Sequence, residues 1–339
     1  MGNKGDVCNP LAPPNTPYDY HDNGSMRVML GIAAFIGTIS ATCAVCLLCF
    51  VLCRWHRLGW KRHFTPLGLV FVYWISMDAI QGVSSALSFK WAVSGDVSQD
   101  GGYCDAQGVL QQFGDAGTAL SAFLVALLVV AYYFHAGWIV HHPKTVSCCL
   151  LLLFPAFLIV LIVPPSSLIH NLYGNTGLWC WIAHHSPTNA RLQIGACYAL
   201  MWLAALTSIL GYGWVLIGTL RRAGAARQET GHFSHVPVYS VEEAWRMMWY
   251  SLAYVIEVAP ISIIRFVQFG SKGPCRRVGP GWIIFAMAVY SASGLINTGL
   301  WLTTGRRFGF ATEKERRRTS EFNHSEPDRN GSAPPSLDV

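Results

Sequence analysis

Four ionisable side chains interrupt long apolar stretches of this chain: Asp78, Asp115, Glu257 and Arg265. A charge in an apolar medium is costly unless it has a partner, so such residues mark ligand sites, ion or proton pathways, or buried polar networks. Arg265 comes near the end of its stretch, where its long side chain can reach water, and a flanking charge is its simpler interpretation. For the three acids, a structural network and a ligand or ion role both stay open.

Metal chemistry is the least favoured function for these residues. A hydrolytic metal site needs several His or acidic ligands at one depth on neighbouring helices. His135 is nearly the only histidine inside an apolar stretch. We therefore expect no metal, no cofactor and no catalytic residues.

The composition places these residues in a membrane protein. Of the 339 residues, 52% are hydrophobic and only 12% are charged, about half the charged share of a typical soluble domain. The net charge of +6 comes from basic residues that flank the apolar stretches, where such residues orient membrane spans. Nucleic acid is therefore not an expected partner, whereas membrane lipid is.

Seven apolar runs are long enough, at about 1.5 Å per residue, to cross a hydrocarbon core of about 30 Å. They extend from Val28 to Cys53, Thr65 to Phe89, Ala106 to Phe134, Val146 to Ile169, Ile194 to Leu220, Trp245 to Phe269 and Trp282 to Thr304. The predicted fold is an all-α membrane protein, a seven-transmembrane helix bundle. Pro260 is expected to kink the sixth helix, because proline removes one backbone hydrogen bond.

Lysine and arginine are concentrated in the segments on one side of these runs, and the positive-inside rule places that side in the cytoplasm. Residues 1–25 are then an extracellular segment, 26–304 the bundle, and 319–339 a disordered cytoplasmic tail. The basic segment 305–318 is either a short amphipathic helix on the inner leaflet or a solvated flank. The expected location is the plasma membrane, with the amino terminus extracellular.

Four cysteines fall on the predicted outer side, where disulfides can form: Cys8, Cys104, Cys180 and Cys275. Four cysteines allow three pairings. Cys104 opens the third span and Cys180 precedes the fifth, and we predict a bond between them that ties the intervening loop over the bundle. Cys8 with Cys275 would be the remaining pair.

Two modification sites have sequence support. Asn23 begins an Asn-Gly-Ser glycosylation sequon on the predicted outer side. Ser320 follows Arg317 and Arg318 in the predicted cytoplasmic tail, a spacing that basophilic kinases prefer, and a phosphate there would weaken attachment to anionic lipid.

Three motifs carry a family resemblance: Cys104-Asp105-Ala106-Gln107-Gly108, Trp179-Cys180-Trp181-Ile182 and Gly294-Leu295-Ile296-Asn297. In order and placement they resemble the cyclic-AMP-receptor-like family of G-protein-coupled receptors, which is known from slime moulds and fungi and is distantly related to secretin-like receptors. The resemblance covers roughly Val28 to Thr304. It implies a receptor that senses a small extracellular ligand and activates a heterotrimeric G protein.

The expected sites follow from that interpretation. An intramembrane polar network should join Asp78, Asp115, Asn297 and Glu257. Candidate ligand-facing residues are Gln107, Gln111, Trp181 and Arg265. Candidate G-protein-facing residues, which could equally serve only to orient the spans, are Arg221, Arg222 and Arg246.

A different class of function remains as the alternative. An ion-coupled or proton-coupled transporter or channel would use Asp78, Asp115 and Glu257 to line its pathway. The two halves of the chain show no repeated span pattern, which counts against transporters built from duplicated units. The sequence does not identify the ligand, since a phosphate would favour converging arginines that the outer side does not show.

Overall fold

A computed structural model describes residues 23–58, 66–98, 102–135, 172–182, 193–228, 238–270 and 278–304. Its helices are α1 (Gly24–Leu58), α2 (Pro66–Ala86), α3 (Ser88–Ser94), α4 (Gly102–His135), α5 (Ala199–Gln228), α6 (Val238–Gly270), α7 (Pro280–Ser291) and α8 (Ser293–Thr304). Two strands, β1 (Tyr173–Asn175) and β2 (Cys180–Ile182), precede a π-helical turn at Ile194–Tyr198 that leads into α5. The fourth predicted span, the basic segment 305–318 and the tail 319–339 lie outside these residues.

The described part of the chain contains six helical stretches that are long and apolar enough to cross a membrane. They are formed by α1, by α2 with α3, by α4, by α5, by α6, and by α7 with α8. They match six of the seven predicted spans. Helices suit this environment because each backbone N–H and C=O is bonded within its own segment.

Large apolar side chains cover the outside of the bundle. Leu210 and Ile263 are each 62% exposed and Trp282 is 68% exposed. A water-facing surface rarely shows so much contiguous apolar area, whereas lipid tails solvate it well. The interior, by contrast, holds many small and polar residues. Polar side chains thus face the interior and apolar ones face outward, as expected for a membrane bundle.

Helices α1 and α2 approach each other backbone to backbone. A Cβ atom on Gly82 would lie 2.8 Å from the Ala41 nitrogen and 2.8 Å from the Gly37 oxygen. Glycine on both helices therefore permits this contact, as small residues do in membrane helix pairs.

Two of the spans are interrupted without being redirected. Leu87 separates α2 from α3, and Ala292 separates α7 from α8. The Ala292 N–H bonds the Val289 carbonyl at 3.2 Å, a tighter turn than the α-helical one, and the Ile296 N–H returns to the Ala292 carbonyl at 2.9 Å. The serines just before and just after this interruption, Ser291 and Ser293, both contact α2 through their side chains.

Strands β1 and β2 form an antiparallel hairpin that the all-α prediction lacked. Its turn depends on Asn175, whose side-chain oxygen accepts the Gly177 N–H at 2.7 Å, and on Gly177, whose φ of 115° suits glycine. The Asn175 amide also donates to the Val97 carbonyl at 2.9 Å. The hairpin is thereby fastened to the chain between α3 and α4, at the end of the bundle where α4 begins; we call this the hairpin end.

Candidate functional site

A disulfide bond joins Cys104, in the first turn of α4, to Cys180 on β2, with 5.2 Å between their Cα atoms. This pairing was predicted from the sequence and is confirmed. The other predicted pair, Cys8 with Cys275, lies outside the described residues. The bond holds β2 against the start of α4 and so places Trp181 over the bundle interior.

Gln107, which was predicted to face a ligand, fastens the hairpin through its side-chain amide. Its Oε1 accepts the indole N–H of Trp91 at 2.6 Å and the backbone N–H of Cys180 at 3.0 Å. Its Nε2 donates to the Ser84 carbonyl at 3.1 Å and to the Ser88 hydroxyl at 2.9 Å. The amide is fully engaged with protein groups, which leaves it no capacity for a ligand.

Beneath the hairpin lies a cavity of about 30 Å³, enough for a few water molecules. Its walls come from α2, α4, the hairpin, α5, α6 and α7. The lining residues are Ser85, Gln111, Asp115, Trp179, Trp181, Tyr198, Met201, Ile261, Arg265, Met287, Tyr290 and Ser291. The structure thus brings together three of the four predicted ligand-facing residues, Gln111, Trp181 and Arg265.

An acidic and a basic side chain face this cavity. Asp115 is 5% exposed, and its Oδ1 accepts the Gln111 amide at 2.7 Å. The Arg265 guanidinium carbon lies 5.7 Å from the ring centroid of Trp179 and 5.7 Å from that of Trp181, within cation–π range. Arg265 also attracts Asp115 electrostatically. It is therefore part of the cavity wall as well as a basic residue near the end of its span.

Aromatic packing fixes the position of the hairpin side chains above the cavity. The Trp181 indole N–H donates to the Gln112 side-chain oxygen at 3.0 Å, and its ring meets Tyr198 edge-on at a centroid distance of 5.5 Å. Trp181 is consequently anchored by both α4 and the π-helical turn before α5. These contacts hold the Trp181 ring in place over the cavity, and we call the hairpin side chains there the roof of the cavity.

A series of three side-chain hydrogen bonds, which we call the polar ladder, runs from the cavity toward the opposite end of the bundle. It connects α2 to the α7–α8 span through Ser291 to Ser85 at 2.8 Å, Ser293 to Gln81 at 3.1 Å and Asn297 to Asp78 at 2.8 Å. Ser85 and Ser291 also line the cavity. One end of the ladder is therefore part of the cavity wall.

The single network predicted for the buried acids is divided in the structure. Asp78 and Asn297 are bonded, as predicted, but Asp115 lies at the cavity with Gln111 and Tyr290. Asp78 belongs to the last rung of the ladder, while the Asp115 side chain lines the cavity together with the residues of the first rung. Tyr290, which sequence reasoning did not single out, supplies the aromatic hydroxyl next to Asp115.

Glu257 is buried on α6 at 2% exposure. Its Oε1 has no hydrogen-bond partner, and the same holds for Asp78 Oδ1 and Asn297 Oδ1. Glu257 and Asp78 repel each other when both are charged. The last rung of the ladder and Glu257 therefore hold three buried oxygens without partners, whereas buried polar atoms ordinarily have them.

Comparison with protein-family models and with curated protein sequences gives no match to this chain. We therefore infer function from the geometry of the cavity and the polar ladder.

The remaining predicted sites are at the ends of the bundle. Asn23 is exposed, and its side-chain oxygen caps α1 by accepting the Met26 N–H at 3.2 Å. Arg221 is exposed on α5, at the end opposite the hairpin. The side chains of Arg222 and Arg246, and Ser320, lie outside the described residues. Among the residues that are described, no three His, Cys, Asp or Glu side chains group as metal ligands.

The residues that sequence analysis missed are chiefly serines and tyrosines within apolar runs: Ser85, Tyr198, Tyr290, Ser291 and Ser293. Isolated serine in a membrane helix often bonds its own backbone, so its type alone does not mark a site. The available signal was the clustering of serines around residues 84–88 and 291–293 in two different spans.

Proposed function

We propose that this chain is a G-protein-coupled receptor of the plasma membrane that senses a small extracellular ligand. The observation that carries the proposal is the charged cavity beneath a disulfide-fastened hairpin, with walls from five helices of a membrane bundle. Cavities between the helices of a bundle are the usual position for small-molecule sites. The family resemblance of the three sequence motifs points the same way.

The proposed topology has seven spans with the hairpin end outside the cell. His135 ends α4 about 40 Å from the hairpin end, since 27 residues separate it from Gly108 at about 1.5 Å each. The described chain resumes at Leu172, and the next residue, Tyr173, packs against Gly108 at the hairpin end. The apolar run from Val146 to Ile169 lies between these points in the sequence and supports a further crossing.

Signalling would use the polar ladder and α6. A ligand in the cavity contacts Ser85 and Ser291, the first rung, and Ile261, which follows Pro260 on α6. Proline leaves one carbonyl of the preceding turn without its helical donor, which makes α6 easier to bend there. The ligand shifts the equilibrium between bundle conformations in favour of the one to which it binds more tightly.

The G protein would dock at the end opposite the hairpin. Arg221 is exposed on α5 at that end, and Arg222 and Arg246 are its neighbours by sequence position. These arginines would contact the G protein as α6 moves away from α5.

The decisive experiment measures guanine-nucleotide exchange by purified heterotrimeric G proteins in the presence of this chain in lipid nanodiscs. We expect at least one G protein to exchange nucleotide faster than with empty nanodiscs, and Arg221→Glu to reduce that acceleration. Asp96→Asn, at an exposed loop position of the hairpin end, is the matched control and should leave the rate unchanged. If no G protein responds to the chain or to its ladder variant Asn297→Ala, the receptor proposal fails.

One observation favours the alternative, an ion-coupled or proton-coupled transporter. The unpartnered oxygens of Asp78, Glu257 and Asn297 are buried near one another on α2, α6 and α8, as groups that exchange a proton or cation are in transporters. Ion or proton flux into liposomes containing the chain tests this function. Flux that is abolished by Glu257→Gln, without G-protein activation, would replace the receptor proposal.

A further inference from the structure

The cavity presents both signs of charge, each held by a different part of the fold. Asp115 belongs to α4 and is oriented by the Gln111 amide from its own helix. Arg265 belongs to α6 and is oriented by the faces of Trp179 and Trp181 on the hairpin segment. Each charge is thus positioned before a ligand arrives, which lowers the entropic cost of binding.

A cavity of this kind discriminates by charge pattern. A ligand with only a positive group is attracted by Asp115 and repelled by Arg265. A ligand with only a negative group is repelled by Asp115 and attracted by Arg265. A ligand that carries both groups is attracted at each end. These electrostatic attractions are stronger in a low-dielectric cavity than in water.

We infer that the ligand of this cavity is a small aliphatic zwitterion, with its ammonium group at Asp115 and its carboxylate group at Arg265. This inference depends on the proposed function, because it takes the cavity to be the receptor's ligand site. A carboxylate suits the guanidinium, which can donate two parallel hydrogen bonds to it. The ammonium group suits Asp115, with the Tyr290 hydroxyl and Ser291 available beside it.

The size of the cavity restricts the ligand further. About 30 Å³ is free, so even a short amino acid must displace side chains as it binds. Met201 and Met287 line the cavity, and methionine adapts its shape at low cost because it is unbranched and flexible. A short methylene chain between the two charged groups of the ligand can occupy the space that the two methionine side chains vacate. A bulky ring would have to displace the anchored Trp181.

The experiment uses the full chain in nanodiscs and a matched set of probes. The zwitterions are glycine, β-alanine, 4-aminobutyrate and 5-aminovalerate, which differ only in the separation of the two charges. Butylamine and butyrate each retain one charged group of 4-aminobutyrate. Binding is measured by the shift in unfolding temperature and by tryptophan fluorescence, since Trp179 and Trp181 form part of the cavity wall.

We expect one or two chain lengths to bind at least tenfold more tightly than the others and than either single-charge probe, which corresponds to about 1.4 kcal/mol. Asp115→Asn and Arg265→Gln should each abolish that preference, while Asp96→Asn, outside the cavity, should retain it. The comparison among probes on the unaltered chain does not depend on any variant folding.

Equal binding of butylamine, butyrate and the zwitterions would overturn the inference, as would the absence of binding by every zwitterion at millimolar concentration. So would tight zwitterion binding that survives in a folded Asp115→Asn chain. Zwitterion binding without G-protein activation would instead overturn the receptor proposal and leave the site intact. G-protein activation by a chain that binds no zwitterion would overturn only the inference.

Discussion

Asn297 on α8 donates its side-chain amide to the carboxyl group of Asp78 on α2 across 2.8 Å, and both residues are almost completely buried. This bond is the last rung of a ladder whose first rung, Ser291 to Ser85, lines the cavity. The two rungs join the same two spans, so a change in the cavity that separates α7 from α2 would also act on the bond between Asp78 and Asn297.

The energetic coupling of Asp78 and Asn297 is measurable by a double-mutant cycle. Asp78→Ala and Asn297→Ala should show an interaction free energy of roughly 0.6 to 1.7 kcal/mol, the range for interhelical hydrogen bonds in membranes. Reversible unfolding in mixed micelles gives the free energy of each variant. Ser76 donates to the Val72 carbonyl of its own helix, so the control cycle of Ser76→Ala with Asn297→Ala should show no interaction free energy. Additive effects at Asp78 and Asn297 would contradict the ladder.

Gln107 and Gln111 lie one turn apart on α4 and should respond differently to the same change. Gln107→Leu leaves the Trp91 indole and the Cys180 N–H without their acceptor, and we expect a loss of stability on the order of 3 kcal/mol. Gln111→Leu removes one bond to Asp115 and should cost about 1 kcal/mol. Unfolding in mixed micelles measures both variants. Equal destabilisation would contradict the structural role of Gln107.

The six described spans could be predicted from sequence because the bilayer imposes a simple rule. An apolar run of sufficient length must form a helix, and its length can be read directly. The hairpin could not be predicted in the same way, since each strand has only three residues and carries no periodic pattern. Its local signal is the Asn175-Thr176-Gly177 turn, and its stability comes from Cys104, Val97 and Gln107, which are distant in sequence.

The sequence could identify the charged residues of the cavity but not how they are arranged. Asp115 and Arg265 stand out because a charge in an apolar run is rare. Which polar residues line the cavity and which fasten the fold depends on their partners. The role of Gln107 could not be read from the sequence because Trp91 and Cys180 are 16 and 73 residues away. Which neighbours the Asp115 side chain faces likewise depends on how α4 packs against α2 and α7, which the sequence does not encode locally.

The disulfide between Cys104 and Cys180 should contribute strongly to stability. It closes a loop with a sequence separation of 76, and the chain-entropy argument gives about 4 kcal/mol for a loop of this size. Cys104→Ala with Cys180→Ala should lower the unfolding temperature and also weaken any ligand binding, because the roof over the cavity is released. Cys46→Ala, at an exposed position of α1, is the control. An unfolding temperature equal to that of the control would show that the bond does not stabilise the fold.

Two glycines offer a matched test of the close contact between α1 and α2. Gly82→Ala would place a methyl group 2.8 Å from backbone atoms of α1, which cannot move aside as a side chain can, so we expect destabilisation of about 1 to 3 kcal/mol. Gly299→Ala on α8 meets nothing within 4 Å and should be neutral or slightly stabilising, because alanine favours helix. Reversible unfolding distinguishes the two; a neutral Gly82→Ala would contradict the contact.

We expect the hairpin end of the bundle to be extracellular. The positive-inside rule and the disulfide both favour an outer hairpin end, since disulfides persist in oxidising compartments. An epitope tag placed before Asn23 should then be labelled by antibody on intact cells, and a tag placed after Thr304 only after permeabilisation. Any glycan should be lost in Asn23→Gln and retained in Asn323→Gln, because only the first sequon would face the lumen during synthesis. Labelling of the carboxyl-terminal tag on intact cells would reverse the topology, and the cavity would then open toward the cytoplasm, where an extracellular ligand could not reach it.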